Sequence, residues 1–276
     1  MRVGLVQLTA SDEPASNLPV TEALIREAAA GGARFVLTPE VTNVVSQSRA
    51  RQRSLLATER EDATLTRLRA IAAELGVWLL IGSLAVKIEG DERFANRSLL
   101  VDATGVVRAR YDKIHMFDVD VSDTETWRES DAFRPGERAV TAETPWGVVG
   151  LSICYDMRFP ALYRALAEAG ATILTAPAAF TVPTGRAHWE TLLRARAIET
   201  GSFVLAPAQV GEHPAAPGEK RRTTWGHSLA VAPWGEVLAD GGEQPGVTFA
   251  DLDLAAPAEA RRRIPALANA RPFALP

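Results

Sequence analysis

The chain is poor in the residues that cross-link small folds or bind metals. It has one cysteine, Cys154, among 276 residues, so an internal disulfide is impossible. Neither a CxxC pair nor the Cys/His spacing of a zinc site occurs, and the four histidines show no HxxxH or HxH spacing. We therefore expect no metal site. Cys154 is either a packing residue or a nucleophile.

Three further absences exclude other classes of protein. No GxGxxG follows the first strand-like run and no GxxxxGK[ST] occurs, so nucleotide binding has no local support. The net charge of −4 argues against nucleic-acid binding, which requires a clustered basic surface. The longest uncharged stretch, 169–185, contains two prolines and is too short to span a membrane.

The remaining composition is that of an ordinary globular protein, with 47% hydrophobic and 23% charged residues. The length suits one large α/β domain, and no repeat, linker or low-complexity block divides it. Residues 1–8 have a strand pattern rather than that of an export signal. Since a lone thiol stays reduced in the cytoplasm, we expect a cytoplasmic protein.

Short β-branched runs alternate with amphipathic stretches, which is typical of a layered α/β architecture. The polar residues 90–92 join two strand-like runs and predict an antiparallel pair, so a purely parallel doubly wound sheet fits poorly. The predicted helices are 20–30, 63–75, 162–169 and 188–200. The predicted strands are 3–8, 34–39, 77–82, 83–89, 96–102, 171–176, 202–208, 227–233, 236–240 and 247–252.

The surroundings of Cys154 favour a nucleophile over a packing residue. An apolar run, 147–153, ends at the cysteine, and residues 155–160 read as the start of a helix. A sharp strand-to-helix turn would present the thiol to solvent. The unpaired N–H groups and the dipole of the helix N-terminus would then favour the thiolate.

A thiol that attacks an amide needs a base, and its oxyanion needs a positive charge or N–H donors. Glu40 is a candidate base because it follows a strand closed by Pro39. Lys113 is notable because only three of the 30 basic residues are lysine. A compact ammonium can transfer a proton and direct a localised charge at an oxyanion, which guanidinium cannot do.

Other basic groups have weaker claims. His115 stays open as an alternative base, which would make a papain-like Cys/His pair. His188 and His227 read as structural hydrogen-bonding residues. The cluster 220–222 reads as a solvated loop, and 261–263 as the end of a helix, where cations suit the dipole.

Taken together, these residues resemble the nitrilase superfamily of carbon–nitrogen hydrolases, over essentially the whole chain, 1–276. The ordered segments 38–40, 112–115 and 153–160 look like its three motifs, which carry Glu40, Lys113 and Cys154. The resemblance implies a single-domain α-β-β-α sandwich that dimerises through its helical face. The C-terminal residues 265–276 would be an arm at the subunit interface, and an isologous homodimer or a higher homo-oligomer is expected.

The resemblance also implies roles for individual residues. Cys154 would be the nucleophile, Glu40 the general base, and Lys113 the oxyanion-stabilising cation together with the backbone N–H of Tyr155. Glu129 resembles a fourth active-site residue that positions the substrate or assists the base. No cofactor or metal is required for this chemistry, which proceeds through a thioester.

Within the superfamily, segments 178–190 and 193–200 look most like the deaminated glutathione amidases, with the ω-amidases next. This implies hydrolysis of a small carboxylate-bearing amide to an acid and ammonia. Arg158, one helical turn after the nucleophile, is the candidate carboxylate ligand, although a salt bridge to Asp156 or Glu168 is the alternative. Thr184 and Phe180 could complete the substrate pocket.

Other hypotheses remain open at this point. The substrate could be α-ketoglutaramate, an N-carbamoyl amino acid or a nitrile, or the chain could be a catalytically idle binding protein on the same fold. Two departures from the branch pattern bear on the substrate. Arg186 stands where proline is common in the relatives, and the loop 212–219 is rich in proline and alanine.

Overall fold

Two six-stranded β-sheets form the centre of the computed structural model, which describes residues 1–122 and 125–274. In chain order the strands are β1 (Arg2–Gln7), β2 (Phe35–Leu37), β3 (Trp78–Lys87), β4 (Phe94–Val101), β5 (Val107–Asp112), β6 (Asp118–Ser122), β7 (Glu125–Arg128), β8 (Val140–Thr144), β9 (Gly147–Leu151), β10 (Ala171–Thr175), β11 (Phe203–Ala206), β12 (Val210–His213), β13 (Arg222–Trp225), β14 (Leu229–Val231), β15 (Val237–Asp240) and β16 (Gly246–Asp251).

The helices lie mostly between these strands. They are α1 (Pro14–Ala30), α2 (Arg49–Leu55), α3 (Ala63–Leu75), α4 (Pro160–Glu168), α5 (Val182–Thr200) and α6 (Ala256–Arg263), with short 3₁₀ helices at Glu129–Asp131 and Cys154–Arg158. None of the helices in the described ranges is long and apolar enough to cross a membrane.

Both sheets have a parallel centre and antiparallel edges. The first has the order β16-β1-β2-β3-β4-β5, and β1, β2 and β3 are parallel. The second has the order β15-β14-β11-β10-β9-β8, and β9, β10 and β11 are parallel. Parallel strands place their carboxyl ends at one edge of a sheet, where α/β proteins bind ligands. Residues that follow β2, β9, β10 and β11 are therefore placed to form a site.

The sheets pack face to face and carry helices on their outer faces. Leu5 and Leu37 of the first sheet share a buried cluster with Leu151 of the second. The alternate residues Val6 and Val36 face α1 and α3 instead. Helices α4 and α5 contact the second sheet. Each buried leucine contributes about 2 kcal/mol through apolar burial. The α-β-β-α sandwich is as predicted.

Several element bounds differ from the prediction. Helix α1 begins at Pro14 and continues through Pro19, where proline removes only one hydrogen bond near the first turn. Helix α5 begins at Val182, because Pro183 lies in its first turn and needs no N–H there. The runs 77–82 and 83–89 form one strand, β3. The sequence pattern does not predict α2, β5, β8 or the two polar hairpins β6–β7 and β12–β13.

The predicted turn after β9 is present, but it begins as a 3₁₀ helix. Residues Cys154–Arg158 form this helix, and α4 starts only at Pro160. A five-residue 3₁₀ segment has a weaker dipole than the expected α-helix, because fewer peptide groups are aligned. At the other end of the chain, the predicted helix that closes with 261–263 is α6.

Candidate active site

A cavity of about 250 Å³ opens at the carboxyl ends of the central strands. Its inner wall includes the buried side chains of Glu40, Lys113 and Cys154. The outer wall is formed by half-buried or exposed residues, which include Arg49, Trp127, Arg128 and Arg222. The cavity therefore connects a buried polar cluster to solvent.

Glu40 is held rigidly after the end of β2. Gly82 on β3 permits this course of the chain, because a Cβ there would overlap the carbonyl oxygen of Thr38. Val41 adopts a left-handed conformation with φ 47°, and its N–H donates to Ser83 Oγ at 2.7 Å. Left-handed backbone in a β-branched residue is strained and is typical of functional sites.

Both oxygens of the Glu40 carboxylate accept hydrogen bonds. Its Oε2 accepts from the Ala179 N–H at 2.8 Å, and its Oε1 accepts from Asn96 Nδ2 at 2.8 Å and Lys113 Nζ at 2.9 Å. These donors come from three separate elements, so the fold itself assembles the position of the carboxylate.

Lys113 lies between two carboxylates. Besides Glu40, its Nζ contacts Glu129 at 2.8 Å and 2.9 Å, and it is 2% exposed. Glu129 is fixed in turn by the N–H of Phe117, which donates to Oε2 at 2.7 Å. The structure thus brings the predicted residues Glu40, Lys113 and Glu129 together around one ammonium.

Cys154 follows β9 in a strained backbone conformation with φ 49°. Its N–H donates to Pro177 O at 2.9 Å, which ties the turn to the end of β10. The thiol is buried beside Glu40, Lys113 and the Ala179 N–H, all of which affect its pKa. Tyr155 follows in the first turn of the 3₁₀ helix, where N–H groups have no intrahelical partner.

The electrostatic surroundings of Cys154 favour a thiol at rest, whereas the sequence predicts a thiolate. Burial, and then the negative charge of Glu40, raise the pKa of Cys154 well above its ordinary value, although Lys113 and the Ala179 N–H oppose this. Burial also acts to raise the pKa of Glu40, but Lys113 and Arg222 outweigh it, so this pKa is lowered. The resting pair is therefore a thiol beside a carboxylate base.

The Lys113 ammonium is a fixed charge rather than a proton carrier. Burial alone would lower its pKa, but Glu129 and Glu40 more than compensate, so the pKa is raised. Lys113 therefore keeps its proton at neutral pH. The sequence predicts that Lys113 could transfer a proton or direct a localised charge at an oxyanion, and only the localised charge fits this site.

A buried carboxylate connects the lysine segment to the nucleophile segment. Asp156 Oδ2 accepts from Tyr111 Oη at 2.6 Å and from the Ile153 N–H at 2.9 Å. Its Oδ1 accepts from the His115 N–H at 3.0 Å and lies 2.7 Å from His115 Nδ1. Tyr111 and His115 flank Lys113, so one carboxylate fixes both segments.

His115 is thus occupied in a structural contact. Its ring stacks on Phe159 with centroids 3.6 Å apart, and it does not line the cavity. This arrangement does not support the papain-like alternative. His188 and His227 also make structural contacts, with Arg158 at 3.1 Å and with Asp240 at 3.0 Å respectively.

The structure places only some of the predicted substrate-binding residues at the cavity. Phe180 and Thr184 line the cavity, but Arg158 does not. The Arg158 guanidinium bonds His188 and lies 5.7 Å from the Phe180 ring centroid and 5.8 Å from that of Tyr155. Among the described residues, Arg158 forms no salt bridge with Asp156 or Glu168, the predicted alternative. Asp156 contacts Tyr111 and His115 instead. Glu168 pairs with Arg164.

Some residues of the site are not predicted from the sequence. The prediction of a solvated loop at 220–222 is wrong for Arg222, which begins β13 and lines the cavity. Asn96 holds Glu40, but the sequence pattern does not separate it from Arg97 and Ser98, the polar residues that follow it in β4. Asp156 also carried no distinguishing signal, because an acidic residue in a helix start is common.

Within residues 1–122 and 125–274, no group of three or more His, Cys, Asp or Glu side chains is placed to hold a metal ion. The cluster of Glu40, Lys113, Glu129 and Cys154 combines a thiol, two carboxylates and an ammonium group. Groups of these kinds can supply the nucleophile, the base and the positive charge that acyl transfer requires.

Comparison of the chain with known protein families agrees with the chemistry that the site geometry indicates. The sequence model of the carbon-nitrogen hydrolase family matches residues 2–262. The chain belongs to this family. Its resemblance to the nitrilase superfamily is confirmed, since members of that superfamily are among its structural neighbours. The chain is accordingly a carbon–nitrogen hydrolase of the amidase type.

Two relatives are similar over nearly the whole chain. One is a deaminated glutathione amidase from Yersinia enterocolitica, 40% identical over 272 residues, which are 98% of this chain and 92% of the relative. The other is the human omega-amidase NIT2, 36% identical over 270 residues, which are 98% of this chain and 95% of the relative.

Solved structures share the fold. The NitFhit protein of C. elegans has a TM-score of 0.90 and 35% identity, covering 98% of this chain, which spans only 65% of that longer chain. An amidase variant from Nesterenkonia sp. AN1 has a TM-score of 0.78 and 29% identity, covering 96% of this chain and 98% of its own. That amidase carries acrylamide on its active-site cysteine through Michael addition.

Proposed function

We propose that this chain hydrolyses the C–N bond of a small carboxylate-bearing amide through a thioester on Cys154. The observation that carries the proposal is the contact of Lys113 Nζ with Glu40 and Glu129, at 2.9 Å and 2.8 Å, beside a buried thiol. Glu40 is the base, Lys113 the cation, and Glu129 the residue that holds the cation in place.

In the first half-reaction, the Cys154 thiol gives its proton to the Glu40 carboxylate as the sulfur attacks the amide carbonyl. The oxyanion that forms is stabilised by the Lys113 ammonium and the Tyr155 N–H. Glu40 then returns the proton to the amide nitrogen, the C–N bond breaks, and the amine leaves. The acyl group remains on sulfur as a thioester.

In the second half-reaction, Glu40 takes a proton from a water molecule that attacks the thioester carbonyl. The same two donors stabilise the new oxyanion. When the C–S bond breaks, the free acid leaves and the sulfur recovers the proton from Glu40. The lowered pKa of Glu40 supports this scheme, because the base must be ionised before each half-reaction.

For the substrate, we propose an amide of the deaminated glutathione type, with α-ketoglutaramate as the alternative. The two relatives at 40% and 36% identity carry these two activities in their names. Phe180 and Thr184, which line the cavity, are proposed to enclose the acyl portion. Arg158 is proposed to bind its carboxylate, for which the guanidinium would have to leave His188 and move past the Phe180 ring into the cavity. Arg158→Met would then weaken hydrolysis of a carboxylated amide more than that of its uncharged analogue.

The test is a substrate panel of deaminated glutathione, α-ketoglutaramate, an N-carbamoyl amino acid and a nitrile. We expect hydrolysis of the first, or of the first two, and none with the Cys154→Ala variant, which should keep its fold by circular dichroism. Turnover by Cys154→Ala would refute the nucleophile. Release of both ammonia and carbon dioxide would indicate a carbamoylase, and no turnover at all an idle binding protein.

We further propose a homodimer in the cytoplasm, formed through the helical face of the second sheet. Ile198, Trp234 and Ile264 expose 54%, 42% and 59% of their surfaces around one groove of about 410 Å³. An apolar surface of this kind favours a subunit interface. The C-terminal arm would pack across it, since Phe273 is 89% exposed. A catalytic thiol also requires a reducing compartment.

A further inference from the structure

Two guanidinium groups in the cavity wall lack a carboxylate partner. Lys113 pairs with Glu40 and Glu129, and Arg128 pairs with Asp120 at 2.8 Å. The other two cations that line the cavity are Arg49 and Arg222, and neither forms a salt bridge within residues 1–122 and 125–274. Within the described residues, the outer wall therefore carries two guanidinium groups without a salt-bridge partner.

The Arg222 side chain is held in place without using all its donors. Its Nη2 donates to the carbonyl of Ala179, and its Cζ lies 4.8 Å from the ring centroid of Trp127. Its Nε is buried and has no hydrogen-bond partner in the described structure. A buried N–H without an acceptor is unfavourable, and a ligand oxygen that reached it would supply the missing partner.

Arg49 repeats the pattern on the neighbouring segment. Its Nη2 makes only a long contact of 3.5 Å with Glu92 O, and its Nε is also buried without a partner. Gln47 Nε2 donates to Arg221 O at 3.2 Å, which brings the segment before α2 against the start of β13. Both guanidinium groups therefore belong to one side of the cavity.

The order of product release indicates which part of a substrate this side contacts. The amine must leave, and water must enter, while the acyl group is still bonded to Cys154. The amine portion therefore lies between the sulfur and solvent. The cavity becomes more exposed in this direction, from Cys154 at 7% to the half-buried Arg49 and Arg222.

We propose that Arg222, assisted by Arg49, binds a carboxylate on the amine portion of the substrate. This inference rests on the proposed amidase function and names the residues that would distinguish an amide whose amine portion carries a carboxylate, as in deaminated glutathione, from a simple primary amide. A planar guanidinium with a free Nε–H suits a carboxylate, which accepts two parallel hydrogen bonds.

The test compares three γ-amides of α-ketoglutarate, formed with ammonia, glycinamide and glycine. All three release the same acid, so one assay gives kcat and KM for each. We expect wild-type protein to prefer the glycine amide to the glycinamide amide by about tenfold or more. Arg222→Met should abolish this preference through KM, and Arg49→Met should reduce it.

The ratio of kcat/KM for the glycine amide to that for the glycinamide amide separates carboxylate binding from effects on Glu40. Arg222 also lowers the pKa of Glu40, but a change in the base affects both amides equally. Arg222→Lys should keep part of the preference because it retains the charge. Arg221→Met is the matched control, since this neighbour is exposed and pairs with Glu212. It should behave as wild type.

Two results would overturn the site. The first is that wild-type protein hydrolyses the glycine and glycinamide amides equally well. This result would reject the carboxylate site but not the amidase function. The other is an equal loss on both amides in Arg222→Met, which would make the residue a support for Ala179. Failure of wild-type protein to hydrolyse any of the three would reject the proposed function and the site together.

Discussion

The charge on Lys113 is maintained by the two carboxylates that contact it, and this determines what its loss would do. We predict that Lys113→Ala lowers kcat/KM by at least about 100-fold, on the order of 3 kcal/mol of transition-state stabilisation. The acid limb of the pH profile should also move to higher pH, because Lys113 holds down the pKa of Glu40. Steady-state kinetics across pH measure both effects.

Lys87→Ala is the control for this experiment, since Lys87 is an exposed lysine at the end of β3. It should match wild type in rate and pH profile. A Lys113→Ala protein that is folded and retains more than about a tenth of wild-type kcat/KM would contradict the assignment of the oxyanion cation.

Asp156 does not line the cavity, so any effect that it has on the reaction would come through the segments that it holds. Asn at this position keeps the shape but replaces one acceptor oxygen by a donor, against two of the four hydrogen bonds. We predict that Asp156→Asn reduces kcat by about 100-fold and the free energy of unfolding by about 2 kcal/mol. Tyr111→Phe removes one of the four contacts of Asp156, together with the 3.3 Å bond from the Ile114 N–H, and should have a smaller effect on both.

Kinetics well below the melting temperature distinguish positioning from stability. If Asp156 merely stabilises the fold, the folded Asp156→Asn variant would have the wild-type kcat there. Slower alkylation of Cys154 by iodoacetamide in the same folded variant would support a positioning role. Wild-type values of both rates would reject it.

At the scale of elements, the strand ends determine which residues meet. Glu40 follows β2 of one sheet and Cys154 follows β9 of the other, and face-to-face packing brings the two carboxyl edges together. The sequence predicts each strand from its apolar run, and therefore each of these residues. It does not predict Arg222, because hairpin β12–β13 is polar and lacks a periodic pattern.

The same limit explains the error about the thiol. A helix start after Cys154 is visible in the sequence and favours the thiolate, but the pKa depends on long-range burial and on Glu40, 114 positions earlier. Local spacing contains no information about either. The sequence does not reveal the roles of Arg222 and Asp156 for a related reason. The partner of Arg222 is Ala179, and the partners of Asp156 include Tyr111 and His115, all of which are distant in sequence.

Hairpin β12–β13 is joined to the rest of the fold by a buried histidine. His213 Nδ1 lies 2.7 Å from Ala10 O, and Nε2 lies 2.8 Å from Thr224 Oγ1. The Nδ1–H must donate to the carbonyl, so the neutral ring satisfies both contacts. Burial lowers the pKa of His213 from 6.5 to about 4.

A lowered histidine pKa makes the folded state less stable in acid. Between pH 6.5 and 4 the unfolded chain binds a proton that the folded chain does not, so stability falls as pH falls. We predict that this histidine accounts for a loss of about 3 kcal/mol between pH 7 and pH 4. Urea unfolding at several pH values measures it.

His213→Gln should remove this part of the pH dependence, with lower stability at pH 7. His188→Gln is the matched control, because His188 is exposed, and it should keep the wild-type slope. An unchanged slope in His213→Gln would show that other groups cause the acid sensitivity.

At the scale of the whole molecule, the apolar surface lies apart from the cavity. Ile198 of α5, Trp234 of the β14–β15 turn and Ile264 after α6 lie on the outer side of the second sheet. The cavity opens at the strand ends instead. Association through this surface would leave the cavity mouth open to substrate.

We predict that wild-type protein has twice the 29.7 kDa mass of one chain in solution, and that Ile198→Glu converts it to monomer. A buried charge without a partner opposes association strongly. Light scattering after size-exclusion chromatography measures the mass. Val20→Glu is the matched control, since Val20 is also 54% exposed but lies on α1, against the other sheet. A wild-type monomer, or a dimer that survives Ile198→Glu, would place the interface elsewhere.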